Sequence, residues 1–286
     1  MLSKTKYLFW LIIIHLLIRT SCVISVCTPS SCGKIRNISH PFRLKGDPKH
    51  CGNHDYELVC ENNTTTSLFF LSHKYTVQAI NYSNYTIRLT DASINSNDNC
   101  SFPNHSLSRS DFPDHEYPYG TETYRRSMSE SRRDITGSVT IMSCPYPVNN
   151  SLLLEISTPC ADRNYGFNKT HRYVKFGELN GSYVKEMCTI ELMTMTSSPL
   201  NEEESVSLSE IHSSLLYGFE LSWFIALCER HCVNCWFDGK QTMCEYSCSI
   251  GFWEIPCGGM PFWFSFAVSG ITWIIELAIG QFLMTS

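Results

Sequence analysis

Sulfur dominates the chemistry open to this chain. It carries fifteen cysteines in 286 residues. Removal of a leader that includes Cys22 leaves fourteen: Cys27, Cys32, Cys51, Cys60, Cys100, Cys144, Cys160, Cys188, Cys228, Cys232, Cys235, Cys244, Cys248 and Cys257. A thiol can pair, ligate a metal or act as a nucleophile. The even count in a chain with a secretory leader predicts complete pairing into seven disulfides, among them Cys160–Cys188 and a closed set within the last six. Zinc is the rival at Cys232-x2-Cys235, where the spacing suits a tetrahedral site. Oxidising conditions disfavour free thiolates, so the reading is disulfides, with no metal and no cofactor. Asn-x-Ser/Thr acceptors agree with an extracellular surface: Asn37, Asn62, Asn63, Asn81, Asn84, Asn104, Asn149, Asn168 and Asn180. A tenth, Asn99, is set apart because Cys100 occupies its middle position.

Other chemistries lack parts. A glycosidase needs two carboxylates across a cleft, and no spacing sets apart any pair among Glu57, Glu61, Glu155 and Glu178. No Gly-x-Ser-x-Gly elbow offers a serine nucleophile. The formal charge of −5 argues against a nucleic-acid partner. The reading is therefore a non-enzymatic one.

The elements that hold these residues begin with a leader. Lys4 and Lys6 precede an apolar run from Tyr7 to Ile18, with small or polar Thr20, Ser21 and Cys22 after it. This is expected to be a signal peptide over 1–25, since a dozen apolar residues are too few to span a hydrocarbon layer of about 30 Å. Strands are read from period-two alternation and short apolar runs: Tyr56–Cys60, Leu68–Leu71, Tyr75–Ile80 with Tyr85–Thr90 as a hairpin, then Ser138–Cys144, Leu152–Ile156, Tyr173–Phe176 and Tyr183–Thr194. Leu68–Leu71 reads as a strand buried on both faces. A short helix is expected near 205–217, its acids at the positive end of the dipole. An apolar helix over 261–283 is long enough to cross a bilayer, although Glu276 within it costs about 2.5–3.5 kcal/mol on insertion scales.

Charge divides the chain. Residues 23–110 hold eight Lys or Arg against six acids, whereas residues 201–286 hold ten acids against Arg230 and Lys240. The fold class is mainly β and disulfide-rich, with two cysteine-rich extracellular modules over 26–110 and 137–258 and a charged linker over 111–136.

Several segments together carry a resemblance. They are Cys27-Thr-Pro-Ser-Ser-Cys32-Gly33, Ile38-Ser-His-Pro-Phe-Arg-Leu44, Cys51-Gly52, Tyr56-Glu-Leu-Val-Cys60, Tyr75 to Asp91, and Cys100-Ser-Phe-Pro103. This order resembles the galacturonan-binding ectodomain of plant wall-associated receptor kinases. With Gly218-Phe-Glu-Leu-Ser-Trp223 it is most similar to the leaf-rust-resistance branch. The second module departs from that branch at Cys232-Val-Asn-Cys235. The 286 residues contain no Gly-rich phosphate loop, His-Arg-Asp or Asp-Phe-Gly, so kinase activity is not carried over.

The resemblance implies an acidic cell-wall polysaccharide, pectin or polygalacturonate, as partner. Spaced cations pair with such a polyanion, Arg in bidentate fashion. The candidates are Arg36, Arg43, Lys45 and Lys49, with His40 and Tyr56 as hydrogen-bonding or stacking groups. The implied location is the secretory pathway and the outer face of the plasma membrane, held through the C-terminal helix, or the cell wall itself. The alternative is a protein- or peptide-recognition ectodomain of a truncated receptor-like kinase, engaging a co-receptor in defence signalling or acting as a decoy.

Overall fold

A computed structural model of the chain describes residues 27–112, 118–127, 129–158, 160, 170–179, 187–201, 204–228, 232–250 and 253–258. The first strands are β1 (Ser30–Cys32), β2 (Ile35–Ile38), β3 (Arg43–Leu44), β4 (Glu57–Glu61), β5 (Thr65–Phe70), β6 (His73–Asn81) and β7 (Thr86–Asp91). Then come β8 (Gly137–Cys144), β9 (Leu153–Glu155), β10 (His171–Phe176) and β11 (Thr189–Thr196). Helix α1 (Leu208–Tyr217) leads into β12 (Phe219–Ser222), and β13 (Cys232–Phe237), β14 (Thr242–Ile250) and β15 (Trp253–Gly258) follow.

The strands form a β1–β2 hairpin, a six-stranded sheet ordered β12-β7-β6-β5-β4-β3, a four-stranded sheet ordered β11-β8-β10-β9, and a β13–β15 meander. Every pairing is antiparallel except β3 with β4. The expected alternation sets the register of the large sheet. Leu58 faces Leu68, Leu68 faces Tyr75, Val77 faces Leu89, and Leu89 faces Phe219, so one face is continuously apolar. The hairpin residues Ile35 and Ile38, with Phe42, Tyr56 and Trp223, close over it. The opposite face carries Ser67, Phe69, Lys74, Thr76, Arg88 and Glu220. Phe69 is 58% exposed there, so Leu68–Leu71 is a half-buried strand end and not the doubly buried run expected.

In the four-stranded sheet Val139, Ile141, Val174, Phe176 and Leu192 pack against Ile211 and Leu215 of α1. The helix begins at Ser207, whose hydroxyl and Glu210 form a reciprocal capping box; Glu202 and Glu203 lie outside the described residues. It ends at Gly218, with φ 88° and with Leu89 O only 2.1 Å from where a Cβ would stand. Only glycine allows both that conformation and that approach. The next four residues then join the first sheet as β12, pairing Phe219 with Leu89 and Leu221 with Ile87.

The expected boundary between modules is therefore crossed by the chain. Trp223, 2% exposed, lies in the core of the first sheet against Phe42, Tyr82 and Tyr85. Part of the expected linker is built in as well: Tyr119 is 2% exposed against Tyr56, and Gly120 bridges to Ser222.

Five disulfides have both partners described: Cys27–Cys51, Cys32–Cys60, Cys100–Cys160, Cys144–Cys188 and Cys228–Cys235; Cys244 is also disulfide-bonded. The expected Cys160–Cys188 pair is corrected. Thr189 pairs with Ser143, which brings Cys188 beside Cys144 at a Cα separation of 4.2 Å, and Cys160 bonds Cys100 instead. Cys228–Cys235 falls within the predicted C-terminal set and removes Cys235 from the zinc alternative. The side chains of Cys232, Cys248 and Cys257 lie outside those described. Among the described residues no helix is long and apolar enough to cross a membrane. The leader at 1–25 and the helix at 261–283 lie outside them.

Candidate functional site

The segment from Cys27 to Cys60 includes the β3–β4 edge of the large sheet, and the Cys27–Cys51 bond ties its start to the loop between β3 and β4. Between them opens a cleft of about 230 Å³, lined by the disulfide, Pro29, Ile38, His40, Asp47 and His50, with the fully buried Phe42 also contributing. The loop between β3 and β4 carries Lys45, Lys49 and His50, all exposed. On β2, Ile35 and Ile38 turn inward, so Arg36 and Asn37 face solvent. Arg36, Lys45 and Lys49 make no ion pair among the described residues, and His40 stands exposed beside them in sequence.

The loop is held from within. Arg43 is 6% exposed, with Nη2 donating to Glu57 Oε2 and Nη1 donating to the carbonyl of Asp47 at 3.3 Å. This follows from the parallel pairing of β3 with β4, which sets Arg43 against Glu57. The Asp47 carboxylate in turn accepts from Ser30 Oγ at 2.7 Å and from the Leu44 amide at 2.8 Å. Gly52 crosses so closely that a Cβ there would lie 2.8 Å from Arg43 Cβ.

The six predicted contact residues thus separate into two groups. Arg36, His40, Lys45 and Lys49 are exposed, whereas Arg43 and Tyr56 are buried. The polar groups of the latter two are engaged within the fold, Arg43 with Glu57 and Asp47 and Tyr56 with Pro118. The Tyr56 hydroxyl donates to Pro118 O at 2.5 Å, and burial, then Asp55, pushes its pKa up, keeping the phenol neutral. Sequence reasoning passed over His50 and Asp47. Their only signal was adjacency to the Cys51 bond and the loop turn, and neither points to a cleft until Cys27 is known as the partner.

Cys27, Cys51 and His50 are close enough to suggest a metal centre. Both sulfurs are spent in the disulfide, so neither supplies the thiolate that zinc requires. The glycan acceptors described, Asn37, Asn62, Asn63, Asn81, Asn84, Asn104 and Asn149, are all exposed. Asn168 and Asn180 lie outside the described residues.

Residues 27–91 match the family model for the wall-associated receptor kinase galacturonan-binding domain. The match covers under a quarter of the 286 residues. It contains the whole cleft and β1 to β7, and stops before the segment that supplies β12. No curated protein and no solved structure matches the chain.

Proposed function

We propose that this chain is a receptor-type extracellular binding protein whose first sheet holds acidic galacturonan chains without catalysis. Arg36, Lys45 and Lys49 pair with the uronate carboxylates, and His40 and His50 hydrogen-bond within the cleft. The observation that supports this most is the placing of unpaired, exposed lysines on a loop braced by Arg43, Asp47 and a disulfide, inside the segment that matches the galacturonan-binding family. A braced loop loses little conformational freedom on binding, so more of each contact is retained as affinity.

Each contact is weak, about 1 kcal/mol for unit charges 4 Å apart in water. Binding therefore needs several contacts along a repeating anion. Catalysis finds no support in the cleft, where among the described residues Asp47 is the sole carboxylate lining it and is already bonded to Ser30 and Leu44. In this reading the protein belongs with the leaf-rust branch, enters the secretory pathway through residues 1–25, and is tethered by residues 261–283.

The test is titration with de-esterified and fully methyl-esterified polygalacturonate at rising salt. Affinity for the first falls steeply as the screening length shrinks to about 10 Å at 0.1 M, and the second binds weakly throughout. Alanine at Lys45, Lys49 or Arg36 lowers affinity severalfold, with stability within about 0.5 kcal/mol of the parent. Equal, salt-insensitive binding to both polymers overturns the proposal. A peptide or co-receptor ligand is the second reading, favoured by Phe69 at 58% and Leu71 at 38% exposure. It predicts binding to a protein that persists at high salt and is lost on Phe69→Ser.

A further inference from the structure

The end of the large sheet where β6 begins and β7 finishes carries a titratable cluster that the polysaccharide reading does not use. His73 and His105 stack with ring centroids 3.3 Å apart and planes within 6°. His105 Nε2 lies 2.8 Å from the Tyr75 hydroxyl and 3.4 Å from the Asp91 carboxylate. The His105 side chain is 16% exposed and that of Asp91 7%. Three elements meet here. His73 and Tyr75 come from β6, Asp91 ends β7 directly opposite Tyr75, and His105 comes from the connection at 92–108. Asp111, just beyond that connection, adds negative field at Tyr75. Lys74 is directed to the other face, to Glu61.

The connection that bears His105 is fastened to the second sheet on both sides of it. Cys100 is bonded to Cys160, Leu107 N donates to Met193 O at 2.8 Å, and Met193 N donates to Ser106 Oγ at 3.1 Å. The imidazole stack is thus one of the points at which the first sheet holds this segment, beside Leu107, buried in that sheet's core, and Ala92 N, which donates to Lys74 O at 3.3 Å.

We propose that the His73–His105 stack is a proton-sensitive clasp between the two sheets, closed while both imidazoles are neutral and loosened when the pair takes up protons. Two imidazolium rings at this separation repel, and partial burial denies them water. Loss of solvent holds His105 below the ordinary histidine range; Asp91 opposes that shift and His73 reinforces it. The sign follows from linkage. A base with a depressed folded-state pKa binds protons more readily when unfolded. Its contribution is therefore complete well above pH 6.5 and declines as pH falls from about 6.5 toward the folded value. The inference is independent of what the cleft binds.

Site-resolved NMR titration of the histidines in the secreted protein tests it, together with denaturant midpoints from pH 8 to pH 5. His105 titrates below the free imidazole; His73→Asn moves it up and Asp91→Asn moves it further down. The midpoint of the parent falls across that range, and His105→Gln flattens the fall. Should His105→Gln fail to fold, His73→Asn carries the test, since among the described residues its ring is held by the stack. A His105 that titrates at or above the free value, or variants that keep the parent's full pH dependence, overturns the clasp.

Discussion

Replacing Arg43 by methionine removes a guanidinium that is 6% exposed and leaves Glu57, 25% exposed, without its partner. Breaking a buried pair from one side costs about 3–5 kcal/mol. Water can reach Glu57 in part, which places the expected loss near the lower end, about 3 kcal/mol. The lost bond to Asp47 O, at 3.3 Å, is long and adds little. Against a domain stability of about 5–15 kcal/mol this is a large fraction, readable as a shifted urea midpoint at unchanged slope. The second half of the experiment is the double variant Arg43→Met with Glu57→Leu. Replacing both members of a buried pair by apolar groups is often neutral, so stability is expected to return to within about 1 kcal/mol of the parent. Asp47 keeps its bonds to Ser30 and Leu44, so the loop that carries Lys45 and Lys49 stays placed. Affinity for polygalacturonate, measured calorimetrically, should return along with stability. Were Arg43 a polymer contact, the double variant would fold well and still bind poorly. A single variant that costs under about 1 kcal/mol yet abolishes binding refutes the supporting role assigned to this arginine.

Further outcomes follow from the packing and from the disulfides. Trp223→Ala is expected to cost about 3–5 kcal/mol, because the indole is 2% exposed amid Phe42, Tyr82 and Tyr85; a fragment ending at residue 110, which lacks both Trp223 and β12, should show no cooperative unfolding by circular dichroism. Non-reduced peptide mapping should join Cys100 to Cys160 and Cys144 to Cys188. Replacing the first pair by serine should lower stability by about 4 kcal/mol for its sequence separation of 60, measured by denaturant titration.

The strands were largely legible because the signal for each lies within the strand. Tyr75 to Ile80 and Tyr85 to Thr90 alternate, one face is buried, and the hairpin appears where expected. Pairings set by distant segments were not legible. Cys188 meets Cys144 only because the register of β11 on β8 places Thr189 against Ser143. Arg43 is set apart from Lys45 and Lys49 by its place in the Ile38–Leu44 segment, but nothing in that segment says that it is buried; what buries it is the pairing of β3 with β4, which brings Glu57 alongside. The Gly218-to-Trp223 motif shows the same division. Phe219, Leu221 and Trp223 alternate inward, so a strand is readable, but nothing within six residues says that its partner is β7, about 130 residues earlier. The cleft inherits this property. One wall is the Cys27–Cys51 bond, another is the loop braced by Arg43, and Phe42 beneath it rests on Trp223. The residues that matched a binding family therefore depend for their geometry on a segment outside the match. It follows that the geometry of this cleft belongs to the whole first sheet, its last strand included, and that changes at β12 should reach the cleft although no residue of β12 lines it.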